Sequence, residues 1–338
     1  MQDLNGDMAV SQEKTGDDYR NVPVKEAAEI LRKGGLVAFP TETVYGLGGD
    51  AENPSAVRRI FTAKGRPADH PLIVHIPNSG QLSRWAREIP PMAFKLAERY
   101  WPGPLTLILK RDRRVPDIVT GGQNTVGLRV PDHPVALALL ETFGGGIAAP
   151  SANRFGRVSP TTATHVREEL GNVPDLILDG GQCRVGIEST ILDLSTGKPR
   201  LMRPGSITVS EIEAVLGLSV SMPGNDAPRV PGRMQSHYAP DTPVFLVPVN
   251  QMEKEIKQRT ANGQRVAVLT MSPTLQTGGC LQQSMPDTPA GWAHELYAKL
   301  RILDGQRFTC ILVEIPPSGA DWQGVRDRLE RAAQATVC

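Results

Sequence analysis

Apolar positions recur at helical spacing in VKEAAEILRKGG, where Ala27, Ile30 and Leu31 share one side and Gly34-Gly35 closes the segment. The apolar run LVAFP follows and reads as a short buried strand. The alternation continues through AVRRIFTAKG (helix), PLIVHI (strand), IPPMAFKLAERYW (helix), LTLILKR (strand) and TVGLRVP (strand). PVALALLETFG is a further helix and GIAAP a strand. DLILDGG and STILDLS are two more strands, and SEIEAVLG is a helix. Strands and helices intermixed at this density predict a layered α/β domain, placed at residues 21–217.

The pattern then lapses. SVSMPGNDAPRVPGRMQSHYAPD is rich in proline and glycine and poor in apolar residues, so residues 218–241 read as a linker. Beyond it VFLVPV, RVAVLT and CILVEIP are β-rich runs, separated and followed by helical patterns in NQMEKEIKQRT, TPAGWAHELYAKLRILD and WQGVRDRLERAAQ. Thr288-Pro289 forms an N-cap and first-turn pair. This alternation predicts a small parallel sheet with covering helices over residues 242–338. No G-x-G-x-x-G lies in this half, so dinucleotide binding has no support. The first 20 residues carry no apolar h-region and read as a disordered tail rather than a signal peptide.

Composition narrows the classes. Two domains suit 338 residues, and 40% hydrophobic with 22% charged residues is ordinary for a globular chain. No apolar run approaches the ~20 residues of a membrane span. The scattered Cys183, Cys280, Cys310 and Cys338 form no C-x-x-C pair, which argues against a zinc or redox motif and suits a reducing, cytoplasmic compartment. A net charge of +1 means that any anion site must arise by local clustering.

Such clustering occurs at element ends. In FPTETVYGLG, Thr41, Thr43 and Tyr45 precede Gly46, Gly48 and Gly49 just past a strand's carboxyl end, where open α/β sheets bind ligands; the plain alternative is a polar turn. In TAKGRPADHPLIVHI, Lys64 and Arg66 flank a glycine, with His70 and His75 nearby. These cations fit either helix-end carbonyls or a phosphate clamp. Arg129 shares a strand face with Thr125, a position that favours a cavity-facing guanidinium, with a salt bridge to a neighbouring carboxylate as the alternative. IAAPSANRFGRVSPTTATHV offers Ser151, Asn153, Ser159, Thr161 and Thr162, with Arg154 and Arg157. It is suited to cradling phosphates or, at Ser159 or Thr161, to capping a helix. GIESTILDL brings Glu188, Ser189 and Thr190, and Arg203 precedes a Pro-Gly turn. No Ser-His-Asp order, carboxylate pair, H-E-x-x-H or Walker motif stands out. These residues by themselves define a polar, cationic cavity for an anionic substrate of nucleotide type.

FPTETVYGLG, KGRPADHPLIVH, WPGPLTLIL, TVGLRVPDHP, APSANRFGRVSPT, LDGG, GIESTILDL and LRPGSIT-like LMRPGSIT, in that order over about residues 22–209, resemble the threonylcarbamoyl-AMP synthase family with its YrdC-type domain. PGRMQSHYAP and the α/β tail resemble the long form, which adds a small Rossmann-like domain. The resemblance implies a twisted open mixed sheet with flanking helices around a large cationic concavity. It also implies condensation of L-threonine with bicarbonate or CO2, attack of the resulting N-carboxy-threonine on the α-phosphate of ATP, and release of pyrophosphate. Mg2+ arrives with ATP. A separate tRNA-threonylcarbamoyl transferase complex then takes the product to N6 of an adenosine beside the anticodon.

By the same resemblance, Thr43, His75, Arg129, Ala149 and Ser189 match the threonine pocket. Lys64 and Arg66 match the basic pair at the triphosphate and are the expected catalytic residues. His70, Thr125, Ser151, Asn153, Ser159 and Arg203 match the nucleotide side, and Tyr238 matches a linker tyrosine that covers the nucleotide, so that residues 218–241 act as a lid. Two departures stand out. His70 replaces a more usual asparagine, which makes the site pH-sensitive. Gln235 and Ser236 replace more basic residues before HYAP, which weakens a lid contact to phosphate. A rival reading is a double-stranded RNA or tRNA-binding module without turnover, recognisable by salt-dependent RNA binding and no ATP consumption. The low net charge and 5% aromatic content count against it. Weak RNA binding beside catalysis is compatible with both. A carbamoyl-adenylate enzyme of the same fold would carry zinc-binding segments, for which the cysteine pairs are missing.

Overall fold

The computed structural model describes residues 22–224, 226–232, 238–276 and 278–336. The predicted tail and the departures at Gln235 and Ser236 lie outside the described residues.

Nine strands form the first sheet: β1 (Val37–Phe39), β2 (Gly46–Asp50), β3 (Ile73–His75), β4 (Leu105–Lys110), β5 (Thr125–Arg129), β6 (Ile147–Ala148), β7 (Leu176–Ile177), β8 (Thr190–Asp193) and β9 (Arg200–Arg203). Their spatial order is β7-β1-β2-β6-β3-β5-β4-β8-β9. Parallel and antiparallel pairs mix, as the expected mixed sheet requires: β3 runs parallel to β5 and antiparallel to β6. Helices cover both faces. Helices Val24–Arg32 and Pro134–Phe143 bury Ala27, Leu31, Val135 and Leu139 against Val37 and Phe39. The larger core on the opposite side gathers Leu36, Leu47, Ile60, Val74, Leu107 and Leu128.

Two strands of this sheet depart from the sequence reading. The glycines after FPTETVY form β2 rather than an open loop, and RLMR forms the edge strand β9. β2 is squeezed between neighbours that only glycine admits. A Cβ on Gly48 would stand 2.7 Å from both Ile147 Cγ2 and Phe39 Cε1. Gly48→Ala should therefore lower stability by about 1–3 kcal/mol through overpacking, read as a fall in the midpoint of thermal unfolding.

The second sheet is wholly parallel: β10 (Val244–Val247), β11 (Val266–Thr270), β12 (Leu281–Ser284), β13 (Cys310–Glu314) and β14 (Ala335–Thr336), in the order β12-β11-β13-β10-β14. Its central strands are apolar except at their last residues, Thr270 and Glu314, because both faces are buried. Val266, Val268, Cys310 and Leu312 pack with Met252 and Ile256 of helix Val249–Ala261. Ala267, Leu269, Ile311 and Val313 pack with Trp292, Leu296 and Leu329 of helices Pro289–Asp304 and Gln323–Ala332. The short outer strands β12 and β14 carry no such run and escape detection by pattern. The second cluster also takes in Val44, Val158 and Ile187 from the first sheet's loops, so the two layers share a core. No helix among the described residues is long and apolar enough to cross a membrane.

Candidate active site

Strand register assembles the site. His75 and Arg129 are direct partners at the carboxyl ends of the adjacent parallel strands β3 and β5. Ala149 follows β6 and donates its N–H to Ile73 O at 3.0 Å. An isolated bridge sets Ser151 beside Gly46. Around these ends lies a cavity of about 570 Å³, counting the space at its mouth, lined among others by Thr41, Thr43, Arg66, His75, Arg129 and Ala149 on the sheet side. Ser151, Glu188, Ser189, Arg203, Gly232 and Tyr238 line the rest.

Arg129 is buried and its neighbours are fixed. Nε donates to Gly103 O at 3.2 Å, Nη1 donates to Thr43 Oγ1 at 2.9 Å, and Nη2 lies 2.6 Å from Glu42 Oε2. The salt bridge to a neighbouring carboxylate is thus present, and Glu42 is a site residue that the sequence reading missed. It sits between two threonines in a stretch read for its hydroxyls. The missed signal was a carboxylate within a run that otherwise enters a core. Thr41 Oγ1 and Thr43 Oγ1 are 2.8 Å apart. Tyr45 points elsewhere, its hydroxyl donating to Gly181 O at 2.7 Å, so for that residue the plain alternative holds. Burial foremost, and then the Arg129 charge, push His75 down to about 3, so the imidazole is neutral at physiological pH. Its Nδ1 is buried without a hydrogen-bond partner.

Helix Pro54–Lys64 positions the basic pair. Asn53 caps it by accepting from Ser55 N and Ala56 N, and Gly65 ends it at φ 60°. The pair then diverges. Lys64 is buried, its Nζ donating to Ser151 O at 2.5 Å and to Asn153 O. It therefore reaches the cavity only through the loop it holds. Burial, and secondly Arg66, lower its pKa well below that of an ordinary lysine. Arg66 faces the cavity, donating from Nη2 to Pro71 O at 3.1 Å, with Nε unpartnered and its guanidinium 5.5 Å above the Phe155 ring. Burial lowers its pKa to about 10, so it stays charged near neutrality. Arg203 donates to Ser189 O from Nε at 3.1 Å and from Nη2 at 2.9 Å. Among the described residues no carboxylate lies within salt-bridge distance of Arg66 or Arg203.

Glu188, noted in the sequence without a role, is the second carboxylate at the site. Its Oε1 accepts from Ser159 Oγ at 2.6 Å, and its Oε2 from Tyr297 OH at 3.0 Å and Arg328 Nε at 2.7 Å. Burial alone would raise its pKa; Arg328 and then Arg203 outweigh that and hold it down to about 2. Tyr238, at φ 63° and almost wholly buried, forms part of the cavity wall beside Gly232.

The structure thus brings Thr43, Arg66, His75, Arg129, Ala149, Ser151, Ser189, Arg203 and Tyr238 to one cavity. The other five expected residues stand outside its lining. Lys64 supports the 151–153 loop. Asn153 Nδ2 donates to Arg154 O and Arg157 O at 2.8 and 2.9 Å, bracing the same loop. Ser159 is turned to Glu188. Thr125 lies at the opposite end of β5 from Arg129, paired with Lys110. His70 packs its ring edge-on against Phe155, with a pKa lowered first by burial and then by Arg66. Thr162, rather than Ser159 or Thr161, caps helix Ala163–Leu170.

These features define a class: an α/β protein with a mixed sheet and a smaller parallel sheet, enclosing a cationic, hydroxyl-lined cavity between the strand ends of the mixed sheet and the segment that carries Gly232 and Tyr238. Residues 29–205 match the Sua5/YciO/YrdC family model, described as telomere recombination, and residues 207–334 match the threonylcarbamoyl-AMP synthase C-terminal domain. The chain belongs to the threonylcarbamoyl-AMP synthase family. It is 42% identical over 321 residues to the threonylcarbamoyl-AMP synthase of Pyrococcus abyssi, covering 92% of this chain and 94% of that protein. To the Bacillus subtilis enzyme it is 41% identical over 328 residues, covering 93% and 94%. The crystal structure of P. abyssi Sua5 complexed with L-threonine superposes with a TM-score of 0.87 at 40% identity, covering 93% of this chain and 96% of that one.

Proposed function

We propose that this chain is an L-threonylcarbamoyladenylate synthase, joining L-threonine, bicarbonate or CO2 and ATP, with pyrophosphate as the second product. The observation that carries this is one cavity with two unlike halves. Arg129, Thr43 and neutral His75 offer a fork, a hydroxyl and an imidazole to an amino acid, with Ala149 and Ser189 closing the pocket. Arg66 and Arg203, free of carboxylate partners among the described residues, offer positive charge to a triphosphate. Ser151 stands between them, its loop held by Lys64. The P. abyssi homologue's capture of L-threonine supports the first half, and the shared family name supports the adenylate product.

In the reaction a carbamate oxygen of N-carboxy-threonine bonds to the α-phosphorus as the bond to the pyrophosphate oxygen breaks. The nucleophile belongs to the substrate, so the protein's contribution is positioning and charge neutralisation rather than a strong base. Arg66 and Arg203 stabilise charge on the departing pyrophosphate, and Arg129 holds the amino acid's carboxylate. Glu42 and Glu188 are committed to arginines, so an Mg2+ brought by ATP would be held by the nucleotide rather than by these carboxylates and would supply further charge neutralisation. Pro231, Gly232 and Tyr238 of the linker close the wall over the nucleotide. The product passes to a tRNA-threonylcarbamoyl transferase complex, in the cytoplasm, where the cysteines stay reduced.

The test is pyrophosphate release from ATP–Mg2+, with threonine and bicarbonate each omitted in turn. Release is expected to need both; release indifferent to either omission, or RNA binding without turnover, rejects the proposal.

A further inference from the structure

Arg328 belongs to the C-terminal helix Gln323–Ala332, yet it is fully buried and points into the other layer. Nε donates to Glu188 Oε2 at 2.7 Å, Nη2 to Glu188 O at 3.1 Å, and Nη1 to Pro204 O at 2.9 Å. Asp327 receives a further Nη1 bond at 2.6 Å. One guanidinium therefore ties both flanks of the nucleotide side, the GIEST strand entry and the turn after Arg203. The consequences are short-range. Glu188 is followed by Ser189, whose carbonyl accepts two N–H groups of Arg203. Arg328 also lies 5.4 Å above the Tyr238 ring, and Tyr238 stacks on Tyr297 at 6.0 Å. The joint has no slack: a Cβ on Gly324 would stand 2.6 Å from Gly205 O.

We propose that Arg328 is a positioning residue for ATP, acting through Glu188 and Ser189 on Arg203 and through Tyr238 on the cavity wall. The second domain then completes the nucleotide half of the site. Interdomain glue alone would not need a guanidinium aimed at a residue that lines the cavity. Nor would it place an aromatic of the second domain, Tyr297, on the same carboxylate. Of the threonine pocket only Ser189 adjoins Glu188; Arg129 is held by Thr43, Glu42 and Gly103 within the first layer, so the threonine half should feel Arg328 less than the nucleotide half.

This inference rests on the proposed synthase reading. Full-length Arg328→Gln, Glu188→Gln and the double variant are compared by pyrophosphate release, by ATP titration calorimetry and by thermal unfolding. Arg328→Gln leaves the buried Glu188 carboxylate without its arginine, and Glu188→Gln leaves Arg328 with Asp327 alone, so each should lower the unfolding midpoint, the first more; the double variant should recover part of the loss. Each single change should raise the KM and Kd for ATP about tenfold, and the double no more than either, because both act through one contact. Threonine KM should rise no more than about threefold in any of them. Tyr297→Phe, a milder change, should raise the ATP Kd about threefold with little loss of stability. A double variant whose ATP affinity returns to normal with its stability, effects that multiply, or a threonine KM that climbs in step would overturn the proposal. Calorimetry separates the two readings: if the wild type binds ATP without threonine-dependent turnover, the synthase reading fails while ATP affinity still judges Arg328.

Discussion

Arg129→Ala should raise the KM for threonine about 100-fold while leaving that for ATP within about threefold. The guanidinium has Thr43 Oγ1 at 2.9 Å and Glu42 Oε2 at 2.6 Å, which fixes its plane at the mouth of the strand pair β3–β5. Losing a charge-assisted bidentate contact to a carboxylate is worth about 2–3 kcal/mol, and each 1.4 kcal/mol is about tenfold in affinity. Alanine also strands Glu42, a carboxylate that is 1% exposed, so the unfolding midpoint should fall with a stability loss of about 3–5 kcal/mol. The two effects separate with Arg129→Lys. It keeps the positive charge beside Glu42 but loses the fork, and should still bind threonine about tenfold more weakly. Parallel rises in the threonine and ATP KM values would show that Arg129 serves only to neutralise Glu42.

Arg66→Ala should lower kcat/KM for ATP by about 10²–10³, with a small change in stability. Among the described residues the guanidinium has a single carbonyl partner, Pro71 O at 3.1 Å, and it stays charged with its pKa near 10. Burial of such a charge is unfavourable until an anion arrives, so its removal takes little from the fold and much from the complex. Lys64→Met gives the informative contrast. That amine is occupied by the Ser151 and Asn153 carbonyls, so its loss should reduce turnover and the unfolding midpoint together. Equal stability losses in the two variants would mean that Arg66 is as structural as Lys64. Rising salt should weaken ATP binding to the wild type more than to Arg66→Ala.

Much of the architecture was legible from pattern. β10, β11 and β13 announce themselves as apolar runs because both faces are buried, and the Thr288-Pro289 pair marks the start of the helix it caps. β2 was not legible: its glycines look like loop residues, and only the crowding by Phe39 and Ile147 makes them strand residues. The site divides in the same way. The ordered motifs brought Thr43, Arg66, His75, Arg129, Ser151, Ser189 and Arg203 to notice one by one, and each lines the cavity. Their companions Asn153 and Ser159 share the same motifs but turn their side chains to the protein.

By itself, then, the sequence determined most of the elements, the family resemblance and a supply of cations and hydroxyls at strand ends, because periodicity and capping act within a few residues. Only the tertiary structure decided which charges are balanced. Glu42 meets Arg129 across 87 positions and Glu188 meets Arg328 across 140, leaving Arg66 and Arg203 to face the cavity. Those pairings depend on register and on the seating of one layer against the other, and no local pattern encodes either.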